Sequence, residues 1–112
     1  MSAINLNTTG CTDPNNDIDS VIVYYTGNNG TFATTTRFGA TGSPNGSYSV
    51  NGSLNLTSDT NNFWVVYNIS SGATLTDYVD GQCSGVTVNS SNYSTSISSP
   101  NGNRQILSAM SY

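Results

Sequence analysis

The sequence predicts an all-β protein, a single β-sandwich domain of jelly-roll or immunoglobulin-like type with about eight short antiparallel strands spanning residues 1–112. Short runs of β-branched and aromatic residues alternate with clusters of Gly, Pro, Asn, Asp and Ser, as strands alternate with turns. No segment repeats apolar residues with the helical period of 3.6, and the strongest helix formers are scarce. A chain of 112 residues fits one domain with one modest core.

The first predicted strand follows a segment rich in turn-forming residues, DPNNDID. It is SVIVYYT (20–26), a β-branched and aromatic run, and the segment TGNNGT separates it from TFATTTRF (31–38). Two such runs joined by a few turn-forming residues are typical of a hairpin. We therefore expect these two strands to pair.

The segment from 48 to 56 fits two structures. Asn51 and Gly52 suit a two-residue hairpin turn, which would place the leucines after the turn on the opposite face from Val50. One continuous strand would instead place all four apolar residues on one face, with Gly52 as a bulge or a close-packing point. Those residues are Tyr48, Val50, Leu54 and Leu56. We favour the continuous strand.

The most apolar run is FWVVYNIS (63–70), which carries apolar residues at both odd and even positions. Such a pattern is typical of a central strand that is covered on both faces. The remaining predicted strands are ATLTDYV (73–79), SGVTVN (84–89), NYSTSIS (92–98) and RQILSAMSY (104–112).

Charge is almost absent from the chain, which contains no Lys, His or Glu. Charged residues make up 7% of the sequence, and the isoelectric point is near 4.1. Two arginines cannot supply the basic surface that nucleic acids or anionic membranes require, so we expect neither as a partner. No apolar stretch approaches the roughly 20 residues of a membrane span, and the N-terminus lacks the features of a secretory signal. Either the chain is used without secretion or a leader has been removed.

Catalytic groups are also scarce, because only Asp remains of the residues that perform most acid and base chemistry. The close pairs Asp17/Asp19 and Asp77/Asp80 lack the D-T-G or D-S-G surroundings of an aspartic dyad. A cysteine nucleophile would need a histidine. We therefore expect no catalytic residues and no enzymatic activity.

One group of oxygen ligands is a weak calcium candidate: Asp13, Asn15, Asp17 and Asp19. It is not an EF-hand, because Ile18 and Tyr24 occupy the positions of the invariant glycine and the bidentate glutamate. A solvated turn before the first strong strand explains the same residues, and we favour it. No other cofactor is expected.

Three further residues have two interpretations each. Cys11 and Cys83 are a candidate disulfide in an oxidising compartment, or two largely buried free thiols, which we favour. Trp64 could stack on a sugar ring in a glycan-binding module, or lie in the core or at its rim, which we favour. In either redox state the cysteines are structural.

The missing lysines have a consequence for the strand edges. Isolated β-proteins protect edges with Lys, inward-pointing charges or proline, and the three prolines here lie in apparent turns. Unless bulges or loops cover the edges, we expect neighbouring subunits to occupy them by strand addition or lateral contact. A nearly neutral surface of Asn, Ser, Thr and Tyr also allows identical copies to pack closely.

This composition resembles that of small all-β virion proteins of bacteriophages, such as capsid decoration (cement) proteins and tail or fibre components. The resemblance implies a non-enzymatic structural role on the virion surface, with other copies of the chain and other virion proteins as partners. It implies no individual site residue. The alternatives are an extracellular filament subunit or adhesin with Cys11 and Cys83 bridged, and a glycan-binding module that uses Trp64.

Overall fold

The structure, a computed structural model, describes residues 1–98 and 101–107 of the chain. Within these residues it contains nine strands and one helical turn, so the predicted all-β sandwich is confirmed. The elements are β1 (Ala3–Asn7), α1 (Pro14–Asp17), β2 (Ile18–Gly27), β3 (Arg37–Gly42), β4 (Ser47–Asn51), β5 (Asn62–Ile69), β6 (Tyr78–Val79), β7 (Gln82–Val88), β8 (Ser91–Ser94) and β9 (Arg104–Gln105).

Two antiparallel sheets enclose the core. Sheet A has the strand order β4-β1-β7-β8, sheet B has the order β3-β2-β5, and β6 pairs separately with β9. Alternate residues of β1 and β2 are buried because successive side chains of a strand point to opposite faces. The buried cluster between the sheets consists of Ile4, Leu6, Val21, Val23, Phe38 and Val50.

The sandwich is closed on the side where β3 and β4 meet. The Thr41 hydroxyl donates a hydrogen bond of 2.9 Å to the carbonyl oxygen of Ser49. Two glycines allow the backbones to touch: a Cβ at Gly39 would lie 2.1 Å from the Asn51 carbonyl oxygen, and one at Gly52 would lie 2.3 Å from that of Phe38. This close approach of the two sheets, the β3–β4 seam, therefore requires glycine, which has no side chain, at both positions.

The β2–β3 pair forms as predicted, but the second strand begins later. Residues 28–36 form a loop, and β3 runs from Arg37 to Gly42 rather than over 31–38. Phe32 lies in this loop with its ring against Tyr24 and Trp64 on the outer face of sheet B. The aromatic residue thus contributes to covering a sheet face instead of extending a strand.

The segment after β4 does not turn back at Asn51 and Gly52. Gly52 and Leu54 donate backbone hydrogen bonds to the carbonyl oxygens of Ser2 and Met1, so the chain continues alongside the N-terminus. The strand itself ends at Asn51, shorter than predicted, but the predicted close packing at Gly52 is present. Tyr48, Val50 and Leu54 contact the core, whereas Leu56 is exposed.

Two of the later strands, β6 and β8, are shorter than predicted, and one strand was missed. Of the segment 73–79 only β6 is a strand, 84–89 corresponds to β7, and 92–98 retains only β8. Of the predicted strand 104–112, the described residues 104–107 contain β9, and residues 108–112 lie outside the described part of the chain. The unpredicted strand is β1, at the centre of sheet A.

Candidate functional site

Strand β5 lies at an edge of sheet B, not at its centre as predicted. Its eight residues pair with β2 on one side, and no described strand pairs with the other side. The prediction was wrong because it took the apolar residues at even positions as a sign of a second covering layer. The loop residue Phe32 packs on Trp64 there, with ring centroids 5.4 Å apart.

The backbone of β5 presents hydrogen-bonding groups to this free edge at every second residue. Tyr25 of β2 donates its N–H to the carbonyl oxygen of Thr36, on the β3 side. The backbone N–H and C=O of the preceding residue, Tyr24, therefore point to β5, where Tyr24 lies opposite Trp64. The even residues of β5 therefore bond to β2. The N–H and C=O groups of the odd residues point outward and bond to nothing in residues 1–98 and 101–107: Phe63, Val65, Tyr67 and Ile69.

The side chains along this edge are unprotected. Val65 is 44% exposed and Ile69 is 43% exposed, although both are apolar. The strand contains no charged residue and no proline from Asn62 to Ile69. Edge strands that remain solitary usually carry such residues, so the free edge of β5 has the features of a surface that pairs with another strand.

A cleft of about 420 Å³ opens next to β5, on the side of the sandwich opposite the β3–β4 seam. Sheet A contributes Leu6, Tyr48 and Cys83 to its wall, and β5 contributes Val65 and Tyr67. Ile97, 70% exposed, and the segment 101–104 form further parts of the wall. The two sheets therefore leave their apolar interior open along β5.

Two tyrosines line the base of this cleft. The Tyr67 hydroxyl donates a hydrogen bond of 2.8 Å to the carbonyl oxygen of Asp80, while the Tyr48 hydroxyl is buried without a hydrogen bond to the described residues. Burial raises the pKa of both phenols, and the proximity of Tyr48 raises the pKa of Tyr67 further. Both phenols are therefore neutral, and the cleft combines an apolar wall with polar residues that include Asp80 and Arg104.

The predicted calcium candidates differ in burial. Asp17 is fully buried at the end of α1, whereas Asp13, Asn15 and Asp19 are exposed. Within the described residues, no group of three or more Asp, Glu, Cys or His side chains is arranged to hold a metal ion. The site stays a sequence prediction, and the structure gives Asp17 a different set of partners.

Those partners come from the connection between β5 and β6. The Thr74 N–H donates a hydrogen bond of 2.9 Å to Asp17 Oδ1, and the Asn16 amide donates another of 3.0 Å. The carboxyl group of Asp77 lies beside the Asp17 carboxylate. Sequence reasoning considered Asp17 and Asp77 separately, because nothing in the sequence links residues 60 positions apart.

The titrations of the two carboxyl groups are linked. Burial alone would raise the pKa of Asp17, but the hydrogen bonds from Thr74, Asp77 and Asn16 hold it below its ordinary value. Burial and the adjacent Asp17 carboxylate raise the pKa of Asp77. When Asp77 is protonated, its hydroxyl is the available donor for Asp17 Oδ2, which has no other hydrogen-bond partner among the described residues. The pair anchors α1 to the chain that follows β5.

Both cysteines are free thiols in the structure and are half-buried. The Cys11 sulfur contacts the backbone N–H and C=O of Asp80, and the Cys83 sulfur contacts the carbonyl oxygen of Gly85. Burial raises the pKa of both thiols; the backbone hydrogen bonds oppose this, while Asp80 and Asp17 add to it at Cys11. They lack the electropositive surroundings of a reactive thiol.

Trp64 lies on the outer face of sheet B, half-buried, rather than in the core. Its indole N–H donates a hydrogen bond of 2.9 Å to the Thr26 hydroxyl. Phe32, 47% exposed, lies against it and against Tyr24, so three aromatic rings form one exposed cluster. Trp64 is therefore partly exposed, next to Phe32.

Comparisons of the chain with protein families, with curated proteins and with solved structures find no match. Among the residues that the structure describes, no helix has the length and apolar character needed to cross a membrane. The features of the chain's own surface that bear on function are above all the β5 edge and the cleft beside it.

Proposed function

We propose that the chain is a non-enzymatic structural protein of a virion, which binds a capsid or tail surface and neighbouring copies of itself and so stabilises the particle. The observation that carries this proposal is the free edge of β5. Strand β5 has eight residues, outward N–H and C=O groups and exposed apolar side chains. These features favour contact with other subunits over a monomeric state.

The charge distribution supports the same role. A lattice brings identical surfaces together, so charged surfaces would repel each other across every contact. Here the whole chain carries two Arg and six Asp, and one Asp is fully buried. Exposed Ser, Thr and Asn side chains can form hydrogen bonds across an interface without a net charge.

Immunogold electron microscopy and density-gradient sedimentation of particles from the native source test this proposal. We expect the chain to sediment with the particles at a fixed stoichiometry and to label their surface. Gel filtration with light scattering provides the complementary measurement. A chain that stays monomeric at high concentration and never sediments with particles would refute the proposal.

The extracellular filament or adhesin is a weaker candidate, because it was based on a bridge between Cys11 and Cys83, and both are free thiols in the structure. Non-reducing mass spectrometry of the native protein decides this point. A mass lower by two hydrogens, together with a disulfide-linked peptide, would favour the extracellular alternative.

Glycan binding is the other candidate, favoured by the exposed ring of Phe32 beside Trp64. Aromatic rings of this kind stack on the apolar faces of sugars. A glycan array probed with the native chain and with Phe32→Ala tests it. Binding that Phe32→Ala removes would support a lectin-like role, and an empty array would eliminate it.

A further inference from the structure

We propose that the partner of the β5 edge is the β5 strand of a second copy, paired antiparallel across a two-fold axis through Val66. The two three-stranded B sheets then form one continuous sheet of six strands. The inference deepens the proposed function, from which it takes only the expectation that copies of the chain associate.

The register follows from which backbone groups are free. The outward groups belong to odd residues, so an added antiparallel strand must form its hydrogen-bonded pairs between odd residues. If Val66 faces Val66 of the second copy, Phe63 lies opposite Ile69 and Val65 lies opposite Tyr67. All four odd residues of both copies are then used, which gives about eight backbone hydrogen bonds. Other registers leave some of these groups unpaired.

The same register matches the side chains. On the inner face it places apolar and aromatic residues opposite each other, which are the cross-strand pairs that stabilise sheets. The exposed side chains of Val65 and Ile69 gain cover from Tyr67 and Phe63 of the second copy. On the outer face Val66 contacts its own copy, and Trp64 lies opposite Asn68.

Charge also favours a second copy as the occupant. At a two-fold axis each residue near the centre approaches its own equivalent, so a charged residue there would face a like charge. Strand β5 has no charged residue between Asn62 and Ile69. A strand edge that is neutral, apolar and complementary to itself fits an identical strand without any further adaptation.

Cysteine crosslinking tests the register. In the proposed dimer Val66 forms a pair without backbone hydrogen bonds, with Cα atoms about 4.5 Å apart, which is within the range that a disulfide spans. Val66→Cys should therefore give a covalent dimer on a non-reducing gel after mild oxidation. Asn68→Cys is the matched control, because it lies on the same outer face but opposite Trp64. The unmodified chain shows how much crosslinking arises from the native thiols of Cys11 and Cys83.

We expect a dimer band for Val66→Cys at least about tenfold stronger than for Asn68→Cys. Two cysteines held close together in the dimer react much faster than two that meet only by random collision. Equal crosslinking of the two variants, or none for Val66→Cys, would overturn the register. Light scattering of the unmodified chain checks the dimer itself, and a monomer at all concentrations would refute the proposal.

Proline substitution tests the edge without disturbing β2. The N–H of Val65 points outward, so Val65→Pro removes no bond within sheet B, while its ring blocks an added strand. We expect a folded monomer with unchanged circular dichroism. Ser94→Pro is the control on the β8 edge of sheet A: Thr95 donates its N–H to Ser84, so that of Ser94 points outward. This variant should remain a dimer.

The two proposals fail separately. A chain that dimerises through β5 but never sediments with particles would contradict the virion function and leave the dimer intact. A Val65→Pro monomer that still binds particles would support a virion role in which the dimer is not required. Binding to particles by a native chain that never forms dimers would refute the β5 pairing alone.

Discussion

The close approach of β3 and β4 leads to a sharp stability prediction for Gly39→Ala. A Cβ at this position would lie 2.1 Å from the Asn51 carbonyl oxygen and 3.0 Å from Val50 Cγ1. The first atom belongs to the backbone and cannot rotate away. The two strands must therefore separate by roughly 1 Å, because packed atoms cannot interpenetrate.

The size of the effect follows from the position of the contact. Overpacking costs typically about 1–3 kcal/mol, and a clash with backbone inside a sheet-to-sheet seam belongs at the upper end. We expect Gly39→Ala to lower the free energy of unfolding by about 3 kcal/mol. For a domain of this size, that lowers the melting temperature by about 12 °C.

Urea unfolding followed by the fluorescence of the single tryptophan, Trp64, measures the loss. Gly42→Ala is the matched control on the same strand, since a Cβ there meets no atom within 4 Å. Its free energy of unfolding should stay within about 0.5 kcal/mol of that of the unmodified chain. If the two variants were equally stable, the close approach at the β3–β4 seam would be refuted.

Three further predictions concern the core and the titratable groups. Val23→Ala, at a fully buried position, should lower the free energy of unfolding by about 2 kcal/mol in the same titration, and a loss below about 0.5 kcal/mol would contradict its burial. The raised pKa of Asp77 means that the folded chain holds its proton more tightly than the unfolded chain, so stability falls as the pH rises through that pKa. The lowered pKa of Asp17 acts in the opposite direction and costs stability as the pH falls through it. Melting temperatures between about pH 3 and about pH 8 should pass through a maximum, and Asp77→Asn should remove the fall on the alkaline side; an unchanged profile would contradict the coupling of Asp17 and Asp77. Because burial raises the pKa of Cys11 and Cys83, a thiol reagent at about pH 8 should modify the folded chain about tenfold more slowly than the chain in urea, and equal rates would show that the thiols are accessible.

Strands with continuous β-branched runs were predicted correctly from the sequence. The predictions were wrong where tertiary contacts determine whether a segment forms a strand. Strand β2 was recognised because SVIVYYT has no other favourable structure. The strand β1, AINLN, was missed because its two asparagines resemble turn residues, yet Ile4 and Leu6 alternate as a half-buried strand requires. Residues 31–36 had the composition of a strand, but the Phe32 ring packs on the outer face of sheet B.

The same division holds for the candidate site. Composition alone predicted strand edges that lack lysine, but it could not identify which strand lies at an edge, since that depends on sheet order. The apolar character of β5 even favoured the opposite conclusion. The Asp17–Asp77 pair and the cleft between the sheets both require residues far apart in sequence to meet, and no local pattern encodes that meeting.

The central place of β1 in sheet A also bears on how the chain is made. Its two neighbours are β4 and β7, which follow it by about forty and eighty residues. During synthesis at about 5–20 residues per second, the first strand must wait several seconds before β7 leaves the ribosome. Sheet A thus cannot be completed until about eighty further residues have been synthesised after β1, and slow folding with long-range pairing is its expected kinetic signature.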